Sequence, residues 1–156
     1  MSAIRKISKQ DLDDLKAIID SNELFPAELL DGMTEDFFSK EDSSDIWIAR
    51  EQEGKAVALA YCAPERMTDG TYNLYLIAVH KDMHGQGIGS ELMAFLETLL
   101  EQQGTRILIV ETSGLPEFEL TRKFYGNLGY TKEATIREFY QKGEDKIVFW
   151  KKLVAG

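Results

Sequence analysis

Residues 77–93 read Ile-Ala-Val-His-Lys-Asp-Met-His-Gly-Gln-Gly-Ile-Gly-Ser-Glu-Leu-Met, and this stretch decides the fold. Its start is typical of an apolar strand and its end of a helix. Between them Gly85, Gly87 and Gly89 alternate with larger residues. Because glycine has no Cβ, the backbone of such a loop can come within hydrogen-bonding distance of a ligand. The first N–H groups of the helix lack intrahelical partners and lie at its positive end, so the loop is suited to an anion such as phosphate.

The glycine spacing matches neither of two common phosphate-binding signatures. In the dinucleotide fingerprint G-x-G-x-x-G, the third glycine would fall where Ser90 stands. The P-loop signature fails because no Gly-Lys-Ser/Thr follows. A Gly-rich turn that only lets a strand and a helix pack closely is the structural alternative, and spacing alone leaves both interpretations open.

Two motifs together resemble those of one family. His84-Gly85-Gln86-Gly87-Ile88-Gly89, after Ile77-Ala78-Val79, is similar to the Arg/Gln-x-x-Gly-x-Gly/Ala motif of the GNAT superfamily of acyl-CoA-dependent N-acetyltransferases. Downstream, Phe124-Tyr125-Gly126-Asn127-Leu128-Gly129-Tyr130 resembles the Phe-Tyr-x-x-x-Gly-Phe/Tyr segment of that superfamily. The resemblance covers residues 70–150, and the pair of motifs is more specific than either one. His84 departs from the pattern, since it replaces the usual Arg or Gln.

Length and composition indicate one acidic domain. The 156 residues fit a single domain over residues 1–156, with a formal net charge of −9 and a pI of about 4.8. Binding to nucleic acid or to anionic membranes is not expected, since both need a basic face. An amine substrate is compatible with the charge, although an acidic, soluble surface is the commoner explanation.

The single cysteine and the N-terminal residues suggest a cytoplasmic protein. Cys62 lies in an apolar run without Cys or His companions at metal-ligand spacing, so we expect a buried thiol, a reducing compartment and no metal site. Residues 1–20 carry charges throughout and contain no apolar signal segment.

The hydrophobic pattern predicts an α/β fold of alternating strands and helices. Strands are predicted at residues 3–7, 45–51, 55–67, 71–79, 107–110, 130–140 and 145–153. Helices are predicted after Ser8, from Pro26, around Phe37 and Phe38, and at residues 87–103 and 117–128. Short turns give antiparallel pairs and the strand–helix–strand crossover gives a parallel pair. We therefore expect a GNAT-like fold with a central, mixed, mostly antiparallel sheet of about seven strands flanked by helices.

The resemblance also implies a cofactor site and its residues. Acetyl-CoA would be the co-substrate, with its pantetheine arm along the backbone of Ile77 and Val79 and the Ile77 N–H polarising the thioester carbonyl. Its pyrophosphate would lie on the amides of residues 85–90. The cofactor-binding residues expected from the resemblance are Ile77, Ala78, Val79, His84, Gly85, Gln86, Gly87, Ile88, Gly89 and Ser90.

Three residues are catalytic candidates. The resemblance gives Tyr125 the role of the acid that protonates the leaving thiolate, although a packing role is the alternative for a tyrosine on an amphipathic helix. Asn73 stands where several family members have a glutamate base, and it is suited only to orienting a water. Glu111 is the nearest carboxylate of the motif region and the candidate base, with a surface or capping role as its alternative.

Three functional hypotheses follow. The first is an N-acetyltransferase in which a primary amine attacks acetyl-CoA directly. The second is a non-catalytic module that binds or senses acyl-CoA, and the third is a nucleotide-binding regulator. The acceptor stays open among polyamines, amino acids, aminoglycosides and protein or peptide amines, and a homodimer is expected from the resemblance only. The aromatic residues of the first helices, Phe25, Phe37 and Phe38, are either acceptor contacts or core residues.

Overall fold

The fold is described from a computed structural model, which covers residues 2–153. Within this range lie seven strands and four α-helices. The strands are β1 (Ser2–Lys6), β2 (Ile46–Gln52), β3 (Lys55–Pro64), β4 (Thr71–Val79), β5 (Ile107–Ser113), β6 (Thr131–Gln141) and β7 (Glu144–Lys152). The helices are α1 (Leu12–Ser21), α2 (Leu29–Ser39), α3 (Ile88–Gln102) and α4 (Glu119–Asn127). None of the helices in the described range is long and apolar enough to cross a membrane.

The strands form one mixed sheet in the order β1-β2-β3-β4-β5-β7-β6. The pairs β1–β2, β2–β3, β5–β7 and β6–β7 are antiparallel, and β4–β5 is parallel, as a helical crossover between two strands requires. β4 stands at the centre of the order, which explains why its sequence is apolar on both faces. The predicted fold class, a mixed and mostly antiparallel sheet with flanking helices, is confirmed.

The chain divides into two compact units. Among the described residues, the first unit comprises residues 2–63 and 76–96, and the second unit comprises residues 64–75 and 97–153. A single domain over residues 1–156 therefore stays a prediction.

The core of the first unit lies where α1 and α2 cover the sheet. Leu15, Ile18 and Ile19 are fully buried, as the apolar stripe of the first helix predicts. Trp47 of β2 stacks on Tyr61 of β3, with ring centroids 4.1 Å apart. The aromatic side chains Phe25, Phe37 and Phe38 pack against this core and are partly buried. Cys62 is a buried free thiol, and burial raises its pKa far above the usual range, so it is not a nucleophile.

An ion pair fixes the start of the first unit. The Asp11 carboxylate accepts hydrogen bonds from the Ser8 N–H at 2.7 Å and from two Arg5 nitrogens at 2.8 and 2.9 Å. The Ser8 start predicted from the sequence is therefore held by the aspartate three residues later. Arg5 also forms an ion pair with Glu51 on the adjacent strand β2, two positions from its direct register partner.

The second unit is built on β5, β7, β6 and α4. Phe149 of β7 packs on Tyr125 of α4, with ring centroids 5.7 Å apart. Glu97 accepts a hydrogen bond from the Tyr130 hydroxyl at 2.7 Å and one from Lys151 at 2.9 Å. These charged hydrogen bonds fix the turn that follows α4.

Several element ends differ from the prediction. The third strand ends at Pro64 rather than at residue 67, although the Glu65 N–H still bonds the Thr71 carbonyl of β4. β5 continues to Ser113 through the polar residues Glu111 and Thr112, whose backbone pairs with β7. The two helices predicted after Pro26 are one helix, α2, and the helix predicted at 117–128 is a 3₁₀ turn at Pro116–Phe118 followed by α4.

Candidate functional site

The loop between β4 and α3 is an open turn whose amides are free to bind a ligand. It begins with a 3₁₀ turn at Lys81–Met83, where His80 Nδ1 accepts a hydrogen bond from the Asp82 N–H at 3.1 Å. Gly85 and Gly87 then adopt left-handed backbones with φ of +80° and +78°. Left-handed residues within a turn point successive N–H groups into one concavity, which is a common anion-binding geometry.

The space next to Gly85 and Gly87 is open among the described residues. A Cβ built on Gly85 or on Gly87 meets no heavy atom within 4 Å among residues 2–153. The glycines are therefore not needed for close packing of strand and helix, which was the alternative explanation. The space above the loop, next to the start of α3, is what an anionic group would occupy.

The end of β4 is held by side chains that the sequence did not indicate. The Val79 carbonyl accepts two hydrogen bonds of 2.8 Å, one from Asn22 Nδ2 and one from His84 Nε2. On the neighbouring position the His80 N–H is bonded to the Val57 carbonyl of β3. Because consecutive strand residues direct their backbone groups to opposite edges, the groups of Ile77 and Val79 face away from β3.

The parallel ladder stops before these residues. The β4–β5 register pairs Thr71–Leu74 with Ile107–Val110, and Ile77–Val79 follow beyond its last pair. The Ile77 backbone therefore has no ladder partner on β5, whereas the Val79 carbonyl is already occupied. Ala78 and Ile88 have buried side chains and offer only backbone to a ligand, while Gln86 and Ser90 are exposed.

An ion pair that the sequence analysis missed anchors the start of α3. Arg50 of β2 is buried and donates from Nε to Glu91 at 3.0 Å. Glu91 lies in the first turn of α3, and its N–H bonds the Gly87 carbonyl at 3.1 Å. No local signal could have found this pair, since its two residues lie 41 positions apart in the chain.

Tyr125 lies on α4 in the second unit, with a buried ring and an unpaired hydroxyl. The residue is 3% exposed, and its ring contacts Phe124, Tyr130 and Phe149 with centroids 5.2–5.9 Å away. None of the hydrogen bonds between residues 2–153 uses its hydroxyl. Burial raises the pKa of the Tyr125 phenol well above its ordinary value, so the group is protonated at neutral pH. A protonated donor without an internal partner can act on a ligand.

Asn73 lies in the second unit beside the carboxylate of Glu65. The side chain is 2% exposed, and its Nδ2 donates to Glu65 Oε2 at 3.0 Å. Its Oδ1 is buried and has no hydrogen-bond partner within the described residues. Burial, Glu65 and Glu111 raise the pKa of the Tyr75 phenol, and a hydrogen bond from Asn73 partly offsets them. A carboxylate from the loop after β3 therefore lies beside Asn73.

Glu111 lies at the end of β5 and is paired with a lysine. Lys146 of β7 is buried, and its Nζ lies 3.1 Å from Glu111 Oε1 and 3.6 Å from the centroid of the Phe139 ring. A bulge in β6 between Ile136 and Gln141, with Glu138 in a left-handed backbone, brings this phenylalanine to the lysine. Neither the bulge nor the pair had a sequence signal.

The same corner of the second unit is negatively charged. The Tyr140 phenol has a pKa raised by burial, by Glu111 and by Glu144. The carboxylates of Glu65, Glu111 and Glu144 therefore raise the pKa of one or both phenols, and Lys146 neutralises the carboxylate of Glu111. Within the described residues no three His, Cys, Asp or Glu side chains form a metal-binding group. A cationic ligand fits this charge pattern.

Two other cations near the motifs have structural partners. Arg122 donates to the carbonyls of Ser113 and Leu115 at 2.8 and 2.9 Å, and so holds the loop before α4. Lys123 forms an exposed pair with Glu119 on the next turn of the same helix. These side chains therefore fix local structure.

Comparisons with known proteins point to one family. The family model for the acetyltransferase (GNAT) domain matches residues 42–132. A protein of Methanocaldococcus jannaschii, described as an uncharacterized N-acetyltransferase, is 28% identical over 152 residues, which are 96% of this chain and 90% of that protein.

Solved structures agree with the family match. A protein of Desulfovibrio desulfuricans, described as belonging to the GNAT family, is 26% identical with a TM-score of 0.93, over 99% of this chain and 100% of that one. An aminoglycoside 6'-N-acetyltransferase in complex with coenzyme A has a TM-score of 0.79 and 16% identity, over 99% of this chain and 98% of that one. At that identity the likeness shows the fold alone.

Proposed function

Because the chain belongs to the GNAT acetyltransferase family and is an N-acetyltransferase, we propose that its glycine loop holds acetyl-CoA and that an amine attacks the thioester directly. The observation that carries this proposal is the open, left-handed backbone of Gly85 and Gly87, where a Cβ would meet no described residue within 4 Å. The N–H groups of residues 85–90 and the Ser90 hydroxyl bind the pyrophosphate. Acetyl-CoA supplies the activated acetyl group.

The backbone at the end of β4 positions the acetyl group. Ile77 lies beyond the last pair of the parallel ladder, and its backbone groups face away from β3. Its N–H donates to the thioester carbonyl and stabilises the negative charge that develops on that oxygen. One such donor is worth about 10²–10³ in rate in other acyl-transfer enzymes.

Tyr125 supplies the proton for the leaving group. As the amine nitrogen bonds to the carbonyl carbon, the C–S bond breaks and the sulfur gains a negative charge. The unpaired phenol O–H of Tyr125 donates to that sulfur. Its ring is locked by the aromatic residues that surround it, so the donor is fixed before the cofactor arrives.

Glu111 takes the proton that the amine must lose. Lys146, itself packed on the Phe139 ring, holds the carboxylate of this residue in one position. The free Oδ1 of Asn73 accepts a hydrogen bond from a water, which relays the proton where the amine does not reach Glu111. Glu65, bound to the other end of the Asn73 amide, is the competing carboxylate.

The acceptor is an amine that tolerates a negatively charged surrounding. Glu65, Glu111 and Glu144 surround the phenols of the second unit, and the whole chain carries a charge of −9. These charges attract an ammonium ion and disfavour an acceptor with a free carboxylate. The buried free thiol of Cys62 supports a cytoplasmic location.

Thiol release and calorimetry test the proposal. Acetyl-CoA is expected to bind, and free thiol is expected to appear with at least one member of a panel of polyamines, aminoglycosides, amino acids, and peptides with free lysines or N-termini. Acetyl-CoA binding without thiol release over the whole panel would favour the non-catalytic module instead. Equal affinity for ADP and for acetyl-CoA would favour the nucleotide-binding regulator.

A pair of glutamine variants tests the base. Glu111→Gln is expected to lower kcat by about 10²–10⁴, the usual contribution of a positioned base. Glu65→Gln has the same size and loses the same charge, and it is expected to change KM for the amine more than kcat. The reverse result would assign the base to Glu65.

A further inference from the structure

The two histidines of the chain hold their ring protons differently. His84 Nε2 lies 2.8 Å from the Val79 carbonyl oxygen, which only accepts, so Nε2 must carry a hydrogen. His80 Nδ1 accepts the Asp82 N–H at 3.1 Å, so that nitrogen must be without one. The short bond to the amide outweighs the longer approach of the Asp82 carboxylate to His80, at 3.8 Å.

The other nitrogen of His84 is free. The residue is exposed, and no hydrogen bond among residues 2–153 uses its Nδ1. In the neutral ring this nitrogen presents a lone pair and repels a phosphate oxygen. In the charged ring both nitrogens donate, so Nε2 stays on Val79 while Nδ1 offers a proton to a ligand.

We propose that His84 binds the pyrophosphate of CoA as an imidazolium ion, so that cofactor binding takes up a proton. The inference rests on the proposed function, which places the pyrophosphate on the adjacent amides. His84 stands directly before Gly85, and its bond to the Val79 carbonyl holds its ring at the end of β4. A charge-assisted bond to a phosphate is stronger than one from a neutral donor.

The groups that contact the His84 ring are uncharged. The contacts to its ring and to the carbonyl that holds it come from β4, through Val79, and from Asn22 after α1, and both are uncharged. The charged or titratable groups of the loop are Lys81, Asp82 and His80, of which Lys81 and Asp82 are exposed and partly cancel. The pyrophosphate would be the nearest new charge, and its sign favours protonation.

Two variants separate the two histidines. His84→Gln keeps an amide donor at the position but has nothing to protonate near neutral pH. His80→Asn is the matched control, because an asparagine oxygen can accept the Asp82 N–H as Nδ1 does. The chain has no third histidine, so any proton taken up by a histidine near neutral pH is assigned by this pair.

Calorimetry with 3'-dephospho-CoA measures the proton directly. This probe retains the pyrophosphate diester but lacks the phosphate monoester, whose own titration near pH 6 would otherwise contribute. Titrations at about pH 8, in buffers of different ionisation enthalpy, are expected to show uptake of a large part of one proton by the wild type and by His80→Asn. Uptake is expected to vanish in His84→Gln.

The affinity must change with pH in the matching direction. Since the bound state holds more protons, affinity for the probe is expected to fall by about tenfold from pH 6 to pH 8, and to stay nearly constant in His84→Gln. Binding without proton uptake, or with uptake that persists in His84→Gln, would overturn the role of His84 and leave the acetyltransferase intact. Failure of the wild type to bind either CoA or the probe would overturn the cofactor site itself.

Discussion

Replacing Tyr125 by phenylalanine removes one hydroxyl and leaves the aromatic ring. The ring is 3% exposed and makes its contacts with Phe124, Tyr130 and Phe149 through carbon atoms, so the substitution preserves the packing. No described residue loses a hydrogen-bond partner. The expected change in the free energy of unfolding is below about 1 kcal/mol.

The expected loss of activity follows from the acidity of the phenol. Burial raises the pKa of Tyr125 above the ordinary tyrosine value of about 10, while an ordinary thiol has a pKa of about 8.5. Complete proton transfer to the departing sulfur is therefore uphill by more than about 2 kcal/mol. In the proposed mechanism Tyr125 therefore serves mainly as a strong hydrogen-bond donor to the developing charge, and the expected loss in kcat is at the lower end of acid catalysis, about 10²-fold.

The assay measures thiol release at saturating amine, with KM for acetyl-CoA and thermal unfolding measured on the same preparation. The matched control is Tyr130→Phe, a buried tyrosine whose hydroxyl donates to the Glu97 carboxylate at 2.7 Å. Losing this charged hydrogen bond is expected to lower the free energy of unfolding by about 1.5–3 kcal/mol. It should leave kcat nearly unchanged, because Glu97 keeps Lys151 as a partner.

Opposite results would refute the argument. If Tyr125→Phe retains kcat within about threefold and Tyr130→Phe does not, the buried phenol of α4 is a packing residue and another group protonates the thiolate. A large rise in KM for acetyl-CoA in Tyr125→Phe, with kcat intact, would instead assign the hydroxyl to cofactor binding.

Two further predictions concern the glycine loop and the N-terminal ion pair. Gly87→Ala and Gly54→Ala each place a side chain on an open, left-handed backbone. Each is expected to lower the free energy of unfolding by about 1–2 kcal/mol, the usual cost of a left-handed conformation for a residue with a Cβ. Only Gly87→Ala, and more strongly Gly87→Val, is expected to weaken acetyl-CoA binding in calorimetry, and equal weakening by Gly54→Ala would remove the loop from the site. Asp11→Asn is expected to cost about 1–2 kcal/mol in urea unfolding at neutral pH, because the hydrogen bond from Arg5 lowers the pKa of the Asp11 carboxyl and Arg5 is partly exposed. A carboxyl whose pKa is lower in the folded state stabilises that state at pH values above its unfolded pKa of about 3.9, and this contribution is lost as the pH falls through the folded pKa. The difference in the free energy of unfolding between Asp11→Asn and the wild type should therefore disappear in acid. A difference that persists in acid would contradict the ion pair as its source.

Periodicity predicted the elements whose packing is local. The stripe of Leu15, Ile18 and Ile19 gave α1, and the doubly apolar run of β4 gave the central strand, because both signals repeat within one element. Breaks were predicted less well. β3 ends earlier than predicted, at Pro64. The segment before α4 is a 3₁₀ turn, which a helical sequence pattern does not distinguish from an α-helix.

The site was predicted only where its geometry belongs to the backbone. Gly85 and Gly87 indicated the loop because their left-handed conformation is a property of the residue itself. The hydrogen-bonded pairs around the candidate residues join distant positions of the chain. Asn22 and Val79 are 57 residues apart, and Arg50 and Glu91 are 41 residues apart. Lys146 meets Glu111 only because β7 returns beside β5, and Phe139 joins them through a bulge.

An acidic chain that binds a polyanionic cofactor needs donors that do not depend on net charge. Two cations near the motifs are already engaged, Arg50 with Glu91 and Arg122 with backbone carbonyls. Backbone N–H groups act at short range and carry no charge to neutralise, so they bind a phosphate despite a chain charge of −9. The proposed protonation of His84 on cofactor binding fits this design, since it would add a cation at the loop and leave the rest of the surface attractive to amines.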